Sequence, residues 1–195
     1  PVTNRYPVFT NNKDSNGNYI YEHTKEPVQV ETTDIVEYTI RIFNEGNIAG
    51  YAKEIIDDIP NGLEFIPEEE TNKEYRWIMY REVKENEQVE PQNIKVFNGK
   101  NYVITEDEKQ AQIIGTDYLS KEQEIETRRD NLLEEFDTNT MSSPKYKDVK
   151  AVFKVIAPNS YEGIITNTAE IADDSDENGN PITDRDSIPN NNNEK

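Results

Sequence analysis

Cysteine is absent from these 195 residues, and there is one histidine, His23. Without thiols no disulfide can staple the fold, and thiolate metal sites and cysteine nucleophiles are excluded. A single imidazole, set between Glu22 and Thr24, rules out a multi-histidine metal centre. It also speaks against a serine–histidine hydrolase and reads as a surface residue. No apolar run approaches the roughly 20 residues that a helix needs to cross a bilayer, and no signal-peptide pattern opens the chain. Bases are scarce: 21 Lys and Arg stand against 40 Asp and Glu, a formal charge of −19. Such a field repels nucleic acid and anionic membrane surfaces, and it gathers divalent cations. Hydrophobic residues make up only 33% of the chain, a figure that alone would suggest disorder. The 11 tyrosines and several clean alternations argue instead for a folded core.

What is present reads as short strands. In "DIVEYTIRIFNEGN", Val36, Tyr38, Ile40 and Ile42 point one way and Glu37, Thr39 and Arg41 the other, and the turn residues "NEGN" close the run. "YAKEIIDDIPNGLEFIP" is a second strand, broken by Pro60, Asn61 and Gly62. "YRWIMYREV" is a third. "KVFNGKNYVIT" is a hairpin whose Asn98-Gly99 supplies the positive φ angles of a type I′ turn. "KDVKAVFKVIAP" sets Val149, Ala151, Phe153 and Val155 against lysines, and "GIITNTAEIA" is the last strong strand. Strands of this length spaced by turns predict an antiparallel sandwich. In "SKEQEIETRRDNLLEEFD" good helix formers follow a capping Ser120 with Gln123 at the capping-box position. A helix from about Glu122 to Phe136 is expected there, within an insertion spanning about 85–145. Residues 1–189 read as one module and 190–195 as a linker.

Two polar residues fall on faces that should be apolar. Asp57 shares parity with Ile55 and Ile59, and Asn167 shares parity with Ile165, Ala169 and Ile171. Burying two such groups costs several kcal/mol unless they are satisfied. A buried Asp–Asn hydrogen bond, or a network shared with a tyrosine hydroxyl, accounts for them. So does a crosslinking site, in which a desolvated lysine attacks the Asn167 carboxamide while a protonated Asp57 polarises it.

A second cluster lies further on. "DSDENGN", Asp174 to Asn180, carries oxygen side chains at alternate positions and then Gly179, like the first half of an EF-hand loop. The twelfth position is Arg185 rather than Glu. Asp173, Asp174, Asp176, Asn178, Asn180, Asp184 and Asp186 together offer enough oxygens for Ca2+. "NKDSNGN", with Asn12, Asp14 and Asn16, repeats the cadence with less charge. Plain turn chemistry explains both equally well.

The runs "DIVEYTIRIFNEGN", "YAKEIIDDIPNGLEFIP" and "ITNTAEI" resemble the repeat modules of Gram-positive surface proteins catalogued as domain of unknown function eleven. "TDYLSKE", "NLLEEFD" and "YKDVKAVFKV" extend the resemblance toward the larger clostridial type. It implies an all-β, immunoglobulin-like antiparallel sandwich with a hairpin and a short helical insertion. The module would be extracellular, in a cell wall, stalk, pilus or other appendage. The resemblance also implies a Lys–Asn isopeptide bond, with Asp57 and Asn167 as its members. The lysine of such modules sits on a first strand ahead of a segment like "VTNRYP", whereas this chain opens at Pro1 of "PVTNRYP". Lys150 and Lys154 alternate outward, and Lys53 stands at the entry of its strand. The lysine is therefore expected from outside this chain, either in a longer polypeptide or on a neighbouring copy that adds its strand to an open edge. Partners are then other copies of the module, head-to-tail or by strand addition. The alternative is an adhesin that recognises glycan or protein through the helical insertion. No residue set supports a turnover enzyme.

Overall fold

A computed structural model describes residues 6–24, 26–157 and 163–182. The chain begins with β1 (Val8–Lys13) and β2 (Tyr19–Glu22), a separate antiparallel hairpin. Then follow β3 (Ile35–Phe43), β4 (Gly50–Asp58), β5 (Leu63–Phe65), a one-turn helix α1 (Glu70–Glu74) and β6 (Ile78–Glu82). Beyond them come β7 (Lys95–Phe97), β8 (Lys100–Ile104), β9 (Ile113–Thr116), helix α2 (Lys121–Thr127), β10 (Tyr146–Val155) and β11 (Ala169–Asp176).

The strands form an antiparallel all-β sandwich. One sheet has the order β3-β10-β5 and the other β11-β4-β9-β6-β8-β7. Period-two alternation builds the core between them. Val149, Ala151, Phe153 and Val155 of β10 face Ile55 of β4, Met79 of β6 and Ile114 of β9, with Phe65 and Leu63 closing the lower end. Val36, Tyr38 and Ile40 of β3 join the same core, as the alternation predicts.

Two expectations need correction. The helix is seven residues long, not fifteen. Ser120 caps it by accepting the Gln123 backbone N–H, and Arg128 ends it in the left-handed region at φ 58°. Past Arg128 the side chains of "NLLEEFD" pack as irregular chain: Asn131, Leu133 and Phe136 are buried without a helix beneath them. The last strand starts at Ala169 rather than in "GIITN", and it runs on into the acids as far as Asp176. The stretch 85–145 also contributes β7, β8 and β9, which continue the larger sheet beside β4 and β6.

The edges of the smaller sheet are treated unequally. Beyond β5, the flank of β10 is sealed by side chains. Asn72, 1% exposed, accepts from the Val152 N–H at 2.8 Å and donates to the carbonyls of Val152 and Ile66 at 2.9 and 2.7 Å. Trp77 Nε1 donates to the Lys150 carbonyl at 2.6 Å. On the opposite flank, β3 pairs only with β10, over nine residues without a register shift. Its second edge carries no strand among the described residues.

Candidate functional site: a buried Asp–Asn pair on an open seam

β4 and β11 bring the two odd polar residues together. Ala169 lies opposite Asp57 in the ladder, and the Asp58 N–H donates to the Thr168 carbonyl at 2.9 Å. This pins the residues before β11 against the end of β4. Asn167 then sits where its Nδ2 donates to Asp57 Oδ1 at 2.8 Å. Asp57 is 0% exposed, flanked across the sheet by Ile114 and Ala169 and along its strand by Ile55. Burial pushes its carboxyl up to about 7, against the downward pull of the Asn167 hydrogen bond and with a small upward push from Asp58.

The pair is only half satisfied. Asp57 Oδ2 and Asn167 Oδ1 are both buried, and neither has a hydrogen-bond partner among the described residues. Two neighbouring orphan acceptors suit a group that brings at least two hydrogens, such as an amine or water. The pair is also reversible in polarity. With Asp57 ionised, the amide donates to it, as seen. With Asp57 protonated, a rotated amide can accept the carboxyl proton at its oxygen. That second arrangement withdraws electrons from the Asn167 carbonyl carbon and prepares it for a nucleophile.

Tyr38 on β3 responds to the Asp57 charge: its hydroxyl is pushed up, first by burial and then by Asp57. Among the described residues β3 and β11 are the end strands of their sheets. Burial declines toward both. Val149, Ala151 and Phe153 of β10 are fully buried, while Val36, Tyr38 and Ile40 on neighbouring β3 are half-buried. Likewise Ile55 and Asp57 of β4 are fully buried, while Ala169 and Ile171 of β11 are not.

The lysines are engaged elsewhere. Lys53 pairs with Asp173 at 2.5 Å, and Lys150 pairs with Glu37 on the outer face at 2.8 Å. No described lysine hydrogen-bonds either orphan oxygen.

The acidic stretch takes a different form. Asp176 Oδ1 accepts from the backbone N–H groups of Asn178 and Asn180, and its Oδ2 accepts from Asn180 Nδ2. Asp14 Oδ1 accepts from Asn16 and Asn18 in the same way. Each turn also has the aspartate N–H donating to the fifth residue's carbonyl, and the glycine N–H donating back to the aspartate carbonyl. These are two copies of one Asx-type turn. Asn12 donates its N–H to Thr10 Oγ1. Among the described residues no three acidic or histidine side chains gather as a metal group. Asp184 and Asp186 lie outside the described residues, as does the linker 190–195.

Sequence reasoning missed β1, β2, β9, α1 and the role of Asn72. "IIGT" in β9 is a short buried apolar run, which is a usable strand signal. Nothing in "ETNKEYRW" marks Asn72 as an edge plug, because the β10 groups it holds, the Val152 N–H and carbonyl, are 80 residues away.

Comparison with known protein families, with curated proteins and with solved structures finds no match for this chain.

Proposed function

We propose that the chain is a non-enzymatic structural module of an extracellular surface polymer, a sandwich lacking one strand at its seam. A neighbouring copy, or a further part of the same polypeptide, supplies that strand together with a lysine. The observation that carries this reading is the Asp57–Asn167 pair, half satisfied among the described residues, with β3 and β11 as the end strands of their sheets. Apolar residues of the entering strand would cover Val36, Tyr38, Ile40 and Ile171. Its lysine would meet the two orphan oxygens in surroundings that favour the neutral amine. The lysine nitrogen attacks Asn167 Cγ as Asp57 gives its proton to the carbonyl oxygen. Asp57 then takes a proton from the lysine nitrogen and passes it to the departing nitrogen, and the hydroxyl proton returns to Asp57 as the carbonyl re-forms. Ammonia leaves, and an amide joins the two strands. Reaction would occur once per site, so the module has no turnover.

The immunoglobulin-like assignment and the surface location rest on the sequence resemblance. Calcium is a second stiffening element in this reading. It would draw on Asp174 and Asp176 with Asp184 and Asp186, at the junction toward a following module. An adhesin is the alternative, favoured by one observation: Ile125 stands 72% exposed on α2. Denaturing electrophoresis of the natural assembly tests the main reading. A ladder that collapses in Asn167→Ala supports trans addition, while a mass loss without a ladder supports addition within one polypeptide. An intact Asn167 carboxamide in the assembled protein overturns both.

A further inference from the structure

We propose a second reaction at this pair: in a copy whose seam stays empty, Asp57 directs water onto Asn167 and converts it to aspartate, retiring the site. The inference rests on the proposed function only for the idea that Asp57 shuttles protons during reaction at the Asn167 carboxamide.

The geometry that suits an amine also suits water. Asp57 Oδ2 and Asn167 Oδ1 are orphan acceptors among the described residues, on side chains joined by the 2.8 Å bond from Asn167 Nδ2 to Asp57 Oδ1, and a water molecule carries two donors and a lone pair. Asn167 itself is half-buried, so solvent reaches part of the residue. The balance is simple. Water oxygen bonds to Asn167 Cγ, one water proton passes to Asp57 Oδ2, and the carbonyl oxygen takes up negative charge. The C–N bond then breaks, the proton returns through Asp57 to the leaving nitrogen, and ammonia departs. The product is an aspartate at position 167, facing Asp57 at the distance now spanned by the Asn167 hydrogen bond. Two acids so close share a proton, and the new carboxyl is a far poorer target for an amine than the amide was.

The usual route of asparagine loss is unsuited to this position. In that route the next residue's backbone nitrogen closes on the side chain, which is easiest before glycine. Asn167 precedes Thr168, a β-branched residue whose carbonyl is fixed to the Asp58 N–H. The chain supplies internal standards for the usual route in Asn16, Asn98 and Asn178, each followed by glycine.

The test uses the isolated chain, incubated near neutral pH in 18O-labelled water and mapped by peptide mass spectrometry. Wild type, Asp57→Asn and a urea-unfolded sample are compared, with circular dichroism to confirm folding of the variant. A parallel arm contains n-butylamine as a stand-in for the lysine side chain. We expect labelled aspartate at position 167 in the folded wild type only, with the rate falling about 100-fold in Asp57→Asn, within the range for losing a general acid–base group. Conversion equal in Asp57→Asn, or greatest in the unfolded chain, overturns the proposal, because local chain chemistry would then explain it. An Asn167 that stays intact in water also overturns it. If that intact Asn167 takes up butylamine, crosslinking competence survives while the hydrolysis proposal fails. Hydrolysis without any amine uptake separates the two in the opposite sense.

Discussion

Asn167 Nδ2 stands 2.8 Å from Asp57 Oδ1, and neither Asp57 Oδ2 nor Asn167 Oδ1 meets a donor among the described residues. This half-made contact fixes the pH dependence of the fold. The Asp57 carboxyl is raised to about 7 by burial, from an ordinary unfolded value near 4. Between those values the native state holds a proton that the unfolded state has lost. The stability contributed by neutral Asp57 is therefore complete below about pH 4, declines as pH rises toward 7, and is gone above it. Asp57→Asn removes this titration. The stability difference, variant minus wild type, should grow by about 1.4 kcal/mol per pH unit between pH 4 and 7 and then level off. Urea unfolding of both proteins across that range measures it, and parallel curves would show that Asp57 is ionised throughout.

Crosslinking carries its own signature. Each bond releases ammonia, so the natural assembly should weigh about 17 Da less per site than its sequence predicts. Asn167→Ala should restore the full mass, less the truncated side chain. Asp57→Ala should also restore it while leaving a folded sandwich. Crosslinking in Asp57→Ala at the wild-type rate would assign the activation to another group.

The alternation of β3 and β10 was legible because apolar residues on one face alternate with residues such as Arg41 and Lys150 on the other, whereas β4 is buried on both faces, with Ile55 and Ile56 in different apolar clusters. The same parity exposed Asp57 and Asn167 as polar residues on apolar faces. What was not legible depends on distant partners. Helical propensity continues through Arg129–Phe136, but Glu124 Oε2 accepts the backbone N–H groups of Asn131 and Leu132, and Asn131 Nδ2 reaches the carbonyls of Tyr118 and Ser120. Tertiary bonds of this kind override propensity. The oxygen cadence of "DSDENGN" likewise fits a calcium loop and an Asx turn equally well, since both need oxygens at alternate positions before a glycine.

Asn72 acts as a substitute strand for Val152. Asn72→Ala leaves the Val152 N–H and C=O buried without partners, and orphaned groups cost about 1–3 kcal/mol each. A loss of about 2–4 kcal/mol in urea unfolding is expected. Opening the β10 edge should also make the variant more prone to self-association, read by light scattering. Asn72→Leu should be no better, because its volume is kept and its hydrogen bonds are not. A loss under about 0.5 kcal/mol, the range of neutral surface changes, would mean that solvent replaces the side chain.

Gly50 of β4 leaves no room for a side chain against β11. An added Cβ would lie 2.5 Å from the Ser175 carbonyl oxygen. Gly50 also exchanges both backbone hydrogen bonds with Leu133 at 3.0 and 2.9 Å, so it cannot retreat without breaking them. Gly50→Ala should cost about 1–3 kcal/mol, as overpacking does. Hydrogen exchange should accelerate first at Ser175–Glu177. Uniform acceleration across the core would contradict this, since strain at Gly50 acts locally on β11.

Calcium binding and turn formation at Asp176 can be separated. The Asp176 carboxylate is held below the usual range, first by the Asn180 side chain and then by the backbone N–H groups it accepts. Losing those bonds in Asp176→Ala should cost about 1 kcal/mol in calcium-free buffer. Asp14→Ala should behave alike, because its turn has the same pattern of backbone bonds. Calcium should then act only at the second turn. At a concentration about 100 times Kd it would add about 2.7 kcal/mol to the wild type, seen as a rise in Tm that a chelator reverses. The double variant Asp184→Asn, Asp186→Asn should abolish the rise and leave calcium-free stability unchanged, whereas Asp14→Ala should keep it. An unchanged Tm at millimolar calcium would leave the acidic stretch as a turn alone. The crosslink and the paired strands would then carry any tension on the module.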